Sequence, residues 1–334
     1  MHTTASKGTR IEYDSVISPE QAIDVLSKNE VDVAVVTDHN TTMAYKQMKS
    51  LGKRKNVNII RGIEISSSDG HIIGLGVQEG IDEKLGEGRK RLSAPEAVDL
   101  IKAFCGEVYI PHPFDVQRKG LGMKIFEIDG IIEVFNPMNI FGFENELADM
   151  VASKLGRPKA VGADAHIQDR LNTCITCIDA EPNEDSVLRT IKNGSVRFEN
   201  CRYMSLREFK ELILRRMRFS YQYILQKIAY GWEVDRWYMK YANGWLMRQV
   251  EREVLKLGVR IPNSYIWDSA SILAYVIASM YAKRVKHFYK LCMKNVNSYG
   301  VTRTEELHQI EAYRFPSYIL QKPLTTMSSG ISNP

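Results

Sequence analysis

The stretch VDVAVVTDHN, residues 31–40, decides how the first half of the chain is read. Its front is a short run rich in β-branched residues, the mark of a strand. Its end is polar and ionisable: Asp38, His39, Asn40. Five further stretches repeat the design: VNIIRGIEIS (57–66), HIIGLGV (71–77), GEVYIPH (106–112), IDGIIEVFN (128–136) and KAVGADAH (159–166). Helical patterns separate several of them. SPEQAIDVLSKNE (18–30) has Ser18 as N-cap, Pro19 at the first helical position and Glu20 in the first turn. SAPEAVDLIKAFC (93–105) opens with a capping box from Ser93 to Glu96. Strands alternating with helices imply an α/β fold on a mostly parallel sheet. If that sheet closes into a barrel, the ionisable residues at the strand ends converge on one face.

The 334 residues are too many for one ordinary domain, and the charge divides them. Residues 1–200 carry a net −6 and residues 201–334 a net +11, giving the overall +5. All four tryptophans lie in the second part. We expect a first domain over residues 1–202, an all-α, basic and aromatic-rich domain over 203–322, and a disordered tail over 323–334. In the second domain SLREFKELILRRMRFSYQYILQKIAYG (205–231) opens on a capping box from Ser205 to Glu208, and a further helix ends at Gly258.

The start of the chain shows no basic region followed by an apolar one, so a cytoplasmic protein is expected. The most apolar run, Ala270 to Ala282, is about 13 residues against the roughly 20 of a membrane span, so no transmembrane segment is expected. Five cysteines do not make a disulfide scaffold at this length. Cys174 and Cys177 form a CxxC on a strand-like stretch, where alternation sends their thiols to opposite faces and favours ordinary packing over zinc or redox chemistry.

Histidine placement carries the chemistry. Of seven histidines, five sit at a strand end or start: His2, His39, His71, His112 and His166. Beside them stand Asp38, Glu64 and Asp164. Imidazole with carboxylate suits zinc, manganese or iron. A bridging carboxylate can hold two such ions about 3.5–4 Å apart, the geometry of displacement at phosphorus.

VVTDHN, GIEIS, GHIIGLG, YIPHPFD, IEVFN and VGADAH, in this order and spacing, resemble the successive motifs of the PHP (polymerase and histidinol phosphatase) family of metal-dependent phosphoesterases. The resemblance covers residues 1–200. It implies a distorted seven-stranded β/α barrel and two or three divalent metals, zinc, manganese or iron, at the C-terminal ends of the strands. By position it makes His39, His71 and His112 ligands, Glu64 the bridging carboxylate, and Asp164 with His166 the closing pair. Asp38 is then the partner that supports His39. Arg118 and Lys119 are the nearest cations for a phosphate oxygen, with a solvated loop as the other reading. Glu133 and Asn136 either bond at the strand end or meet substrate.

The family's first motif reads His-x-His-Thr. Here MHTT supplies only the second histidine, His2, so the first strand is expected to be truncated. One reading has the natural chain begin upstream of Met1 with an Asp-Leu-His or similar. The other accepts the shorter chain with one metal weakly held. The family's aspartate a few residues later falls on Lys7 at the nearest spacing; the stretch DSVISPE (14–20) makes Asp14 the expected carboxylate instead.

The resemblance thus implies hydrolysis of a phosphorylated small molecule, nucleotide or polynucleotide end by metal-activated water. The alternative is a non-catalytic scaffold of this family that carries a nucleic-acid-binding helical domain. Arg215, Arg216, Arg218 and Lys227, interleaved with Tyr and Trp, suit nucleic acid, a membrane surface or a plain helical bundle, and all three stay open.

Overall fold

The computed structural model describes residues 1–6, 14–86, 91–115, 120–139 and 142–205, with Glu208 and Leu212. All of them belong to one compact unit. The helical and tail regions expected from residue 203 onward lie, apart from residues up to 205, Glu208 and Leu212, outside the described residues.

Among the described residues the main sheet has six strands in the order β1 (Val33–Val36), β2 (Asn58–Ser66), β3 (His71–Leu75), β4 (Glu107–Ile110), β5 (Ile131–Phe135) and β6 (Lys159–Val161). A separate two-stranded antiparallel sheet pairs β7 (Ile175–Ile178) with β8 (Val196–Glu199), with a helix (Glu184–Lys192) between them in the chain. The expected N-cap at Ser18 and capping box at Ser93 are present. Ser18 and Gln21 cap α1 (Pro19–Lys28), which buries Ala22, Ile23 and Leu26. Ser93 and Glu96 cap α2 (Ala94–Ala103), which buries Ala97, Val98 and Ile101.

The strands are continuous apolar runs because both faces are covered. Ile60, Ile63, Ile65 and Ile72 are each almost fully buried. Each such side chain contributes about 1.5–3 kcal/mol relative to exposure.

The expectation of a mostly parallel sheet needs one correction. β3 runs antiparallel to both β2 and β4. The reason is local: Ser67, Ser68, Asp69 and Gly70 form a tight turn in which the Ser67 hydroxyl accepts from the backbone N–H groups of Asp69 and Gly70. A turn this short allows only a hairpin. Because β3 is reversed, its first residue, His71, pairs with Ser66 at the last residue of β2. A histidine at a strand start therefore arrives at the rim where the other strands end.

The two outer strands meet through the first residues of the chain. The Met1 amine donates to the Val35 carbonyl, and the Thr37 N–H donates to the Met1 carbonyl. The His2 N–H donates to Ala165, just beyond β6. Met1 and His2 thus occupy the end of a strand position between β1 and β6. Below them lies a cavity of about 800 Å³ lined by Val33, Val35, Leu75, Tyr109 and Val161 among others.

The last described residues rest on a buried anchor. Arg170, fully buried, donates to Glu208 at 3.0 Å, and Leu212 packs with Met138 and Ile167.

Candidate metal centre

All eight expected ligands come together at one rim, and all but half-buried Asp164 are buried. His2 reaches it from the chain start, His39 from just beyond β1, Glu64 from β2, His71 from β3, His112 from just beyond β4, and Asp164 and His166 from beyond β6. A single parallel bridge, His39 to Glu64, extends the β1–β2 ladder into the site.

The contacts form a connected set. His2 Nε2 lies 3.1 Å from both Glu64 Oε2 and Asp164 Oδ1. Glu64 turns its other oxygen to His71 Nδ1 at 2.7 Å and to His112 Nε2 at 3.7 Å. Asp14 Oδ2 lies 3.0 Å from His166 Nε2, 3.6 Å from His2 Nδ1 and 3.7 Å from His39 Nε2. The carboxylate expected at Asp14 is therefore in place; Lys7 lies outside the described residues. The rings of His39 and His166 stack on that of His2, at centroid distances of 4.8 and 4.5 Å. Three triads have ligand atoms close enough for a shared ion: His2, Asp164 and His166; His2, Asp14 and His39; His39, Glu64 and His71. His2 and His39 each belong to two of them.

Electrostatics keeps Asp14 and Glu64 ionised in spite of burial. Burial alone would raise Asp14, but His166, His39 and His2 hold it well below the usual range. Burial would likewise raise Glu64, but His39, His71, His112 and His2 outweigh it. For His2, burial lowers the pKa, yet Asp164, Glu64 and Asp14 prevail and push it up to about 10. His39, where burial wins, falls to about 4 and is a neutral imidazole. Five imidazoles and three carboxylates, buried together without thiolates, form a donor set that fits divalent cations.

Two ligand positions sit on unfavourable backbone. His112 has φ +29° and Asp164 φ +45°, a region that side-chain-bearing residues rarely adopt. Glu133 holds both in place. Its carboxylate accepts from the His112 N–H at 2.6 Å, from Tyr109 Oη at 2.8 Å and from Asn136 Nδ2 at 2.8 Å, and Asn136 Nδ2 also reaches Asp164 Oδ2 at 3.4 Å. Burial pushes Glu133 up to about 6. The two readings of Glu133 and Asn136 thus resolve toward strand-end bonding, since Glu133 is 3% exposed and spent on these partners.

Asp38 does something other than expected. Its carboxylate accepts from Thr3 N at 2.5 Å and Thr3 Oγ1 at 2.7 Å, so it fixes the segment that carries His2 rather than supporting His39. His39 Nδ1 lies instead 3.2 Å from Ser66 Oγ. Ser6 was also not anticipated: its hydroxyl donates to Asp14 at 3.0 Å and accepts from the His39 N–H at 3.1 Å. Small hydroxyl residues at irregular spacing leave no sequence signal. Arg118 and Lys119 lie outside the described residues.

Fold and site define a class: an α/β protein whose sheet gathers a buried imidazole and carboxylate cluster for divalent metals at one rim. Comparison with known proteins narrows it. A family model described as PHP-associated matches residues 142–196. An uncharacterized protein of Methanocaldococcus jannaschii is 36% identical over 136 residues, which is 40% of this chain and 75% of that one. Phosphoribosyl 1,2-cyclic phosphate 1,2-diphosphodiesterase of Eggerthella lenta is 24% identical over 225 residues, 64% of this chain and 68% of that one. Among solved structures, a two-domain Bacteroides vulgatus protein containing a predicted PHP-like metal-dependent phosphoesterase overlays with a TM-score of 0.48 at 11% identity, over 64% of this chain and 67% of that one. The PHP-associated match and the diesterase relative support a metal-dependent phosphoesterase of PHP type. Among the described residues, no helix is long and apolar enough to cross a membrane.

Proposed function

We propose that this chain hydrolyses a phosphoester using water activated by two or three divalent cations, with His2, Asp14, His39, Glu64, His71, His112, Asp164 and His166 holding the ions. One observation supports the reading above the others: Glu64 directs one oxygen to His71, with which it shares a triad, and the other to His2, which belongs to the two other triads, so a single buried carboxylate lies between candidate ion positions. When bound, the cations supply Lewis acidity for water and charge neutralisation for the phosphoryl oxygens. The chain's own residues hold the geometry. Asp38 and Thr3 fix His2. Ser66 and Ser6 orient His39 and Asp14. Glu133 and Asn136 hold the strained backbone of His112 and the carboxylate of Asp164. Arg118 or Lys119 would add charge for a phosphate oxygen.

The Eggerthella lenta relative is named for a cyclic phosphodiester of a sugar phosphate. That class therefore leads the substrate screen, beside phosphomonoesters, nucleotides and polynucleotide ends. The test is turnover by protein reconstituted with zinc, manganese or iron(II) in turn. The probes are an aryl phosphate, an aryl phosphodiester and a cyclic sugar phosphate. Turnover that disappears in Glu64→Gln supports the proposal. Bound metal without turnover of any phosphoester, together with salt-dependent binding of polynucleotide, overturns it in favour of a scaffold. The cations that would serve such binding, Arg215, Arg216, Arg218 and Lys227, lie outside the described residues.

A further inference from the structure

The CxxC of the sequence points to Cys177 as the neighbour of Cys174. The fold gives Cys174 a different one. β7 and β8 pair antiparallel with Ile175 opposite Glu199, so Cys174, just before β7, and Cys201, two residues after β8, lie diagonally across one end of that strand pair. Their sulfurs are 3.1 Å apart although the residues are 27 positions apart in the chain. A disulfide closes at about 2.05 Å, so roughly 1 Å of approach separates this pair from a bond. Cys177 instead stands opposite Arg197, within the strand pair.

The two thiols differ in environment. Cys201 is exposed, while Cys174 is buried, with its sulfur 3.8 Å from the Phe135 carbonyl. Burial, and after it the Cys201 sulfur, pushes the Cys174 thiol up, so it is a poor first nucleophile. An exposed thiol that meets the oxidant beside a sheltered thiol that resolves the product is the usual order in thiol oxidation.

The segment that carries Cys201 is tied to the end of β5. The Tyr203 ring stands 4.9 Å from that of Phe135, its hydroxyl accepts from Asn145 Nδ2 at 3.3 Å, and the Met204 N–H donates to the Pro137 carbonyl at 3.2 Å. Asn136, which reaches Asp164, sits between the two contacted residues.

We infer that Cys174 and Cys201 form a reversible oxidation site that takes a hydroperoxide as its oxidant. The Cys201 sulfur attacks the peroxide; an S–O bond forms, the O–O bond breaks, and the alcohol or water leaves with a proton, so the sulfur gives up two electrons. The Cys174 sulfur then attacks that sulfenic acid; the S–S bond forms, the S–O bond breaks, and hydroxide departs with the Cys174 proton as water. A reducing dithiol reverses the bond by exchange. The disulfide fastens β7 to the segment that leads toward Glu208, beside the end of β5.

The test treats the reduced full-length protein with hydrogen peroxide near stoichiometric amounts. It reads free thiols, intact mass, a peptide map and the melting temperature. Two of the five thiols should be lost. The peptide map should show Cys174 joined to Cys201, and dithiothreitol should restore both. Closing a loop of this length should raise the melting temperature by roughly 5–10 °C. Cys201→Ser, a change at an exposed position, should abolish the product, while Cys177→Ser should leave it intact. A cross-link through Cys177, a link only between separate chains, or Cys201 oxidised to sulfinic acid with Cys174 still free would overturn the inference.

Discussion

Glu64→Gln removes one charge and keeps the shape of the side chain. Glu64 is 2% exposed, with His2 at 3.1 Å on one oxygen and His71 at 2.7 Å on the other. Removing one partner of a buried charged pair costs about 3–5 kcal/mol. At 1.4 kcal/mol per decade, each ion that Glu64 binds should lose roughly 10²- to 10⁴-fold in affinity. Because one oxygen serves the triad with His39 and His71 and the other faces His2, which joins the two other triads, more than one ion should be affected. His71→Ala touches only one triad, so it should weaken one ion and leave the other near its parent affinity. The assay is elemental analysis after dialysis against graded free metal, with circular dichroism to show that the variants remain folded. If Glu64→Gln retains as much metal as the parent, or loses one ion where His71→Ala loses the same one, the bridging role is wrong.

Asp14→Asn should weaken metal binding by at least tenfold while Lys7→Ala changes it little, and the reverse ranking in the same dialysis assay would mean that the carboxylate has been placed incorrectly. Gly162→Ala would put a methyl group 2.5 Å from Glu133 Oε1 and 3.2 Å from Tyr109 Oη, so it should cost about 1–3 kcal/mol in urea denaturation; an unchanged midpoint would show that Glu133 has room to move. Glu208 is held well below the usual range, first by Arg202 and also by Ser205 and Arg170. Its contribution is therefore present above the unfolded value of about 4.3 and is lost as pH falls below it. Glu208→Gln should be destabilised relative to the parent at pH 7, with the gap narrowing progressively as pH falls below about 4 toward the much lower folded value; a gap that widens on acidification would contradict the ion pair.

Local chemistry made much of this protein legible in its sequence. Ser18 and Ser93 announced their helices because a capping box is satisfied within four residues. The β-branched runs announced their strands, and each carried its ionisable end residue with it. The positions of His39, Glu64, His112 and His166 were therefore readable before any fold was known. The triads that those residues join were not readable, because they depend on pairings between distant segments. His2 meets Asp164 across 162 positions, and no periodicity spans that separation. The direction of β3 turned on hydrogen bonds to one serine hydroxyl at residue 67, and that reversal brought His71 to the same rim as the rest. Asp38 stands next to His39 in sequence, yet its carboxylate binds Thr3, which only the chain start lying against β1 could bring within reach. Cys174 has Cys177 three positions away and bonds toward Cys201, because strand register, not sequence distance, sets which side chains touch across a strand pair. Residue type and local pattern set which groups could do chemistry here; the pairing of segments far apart in the chain decided which of them meet.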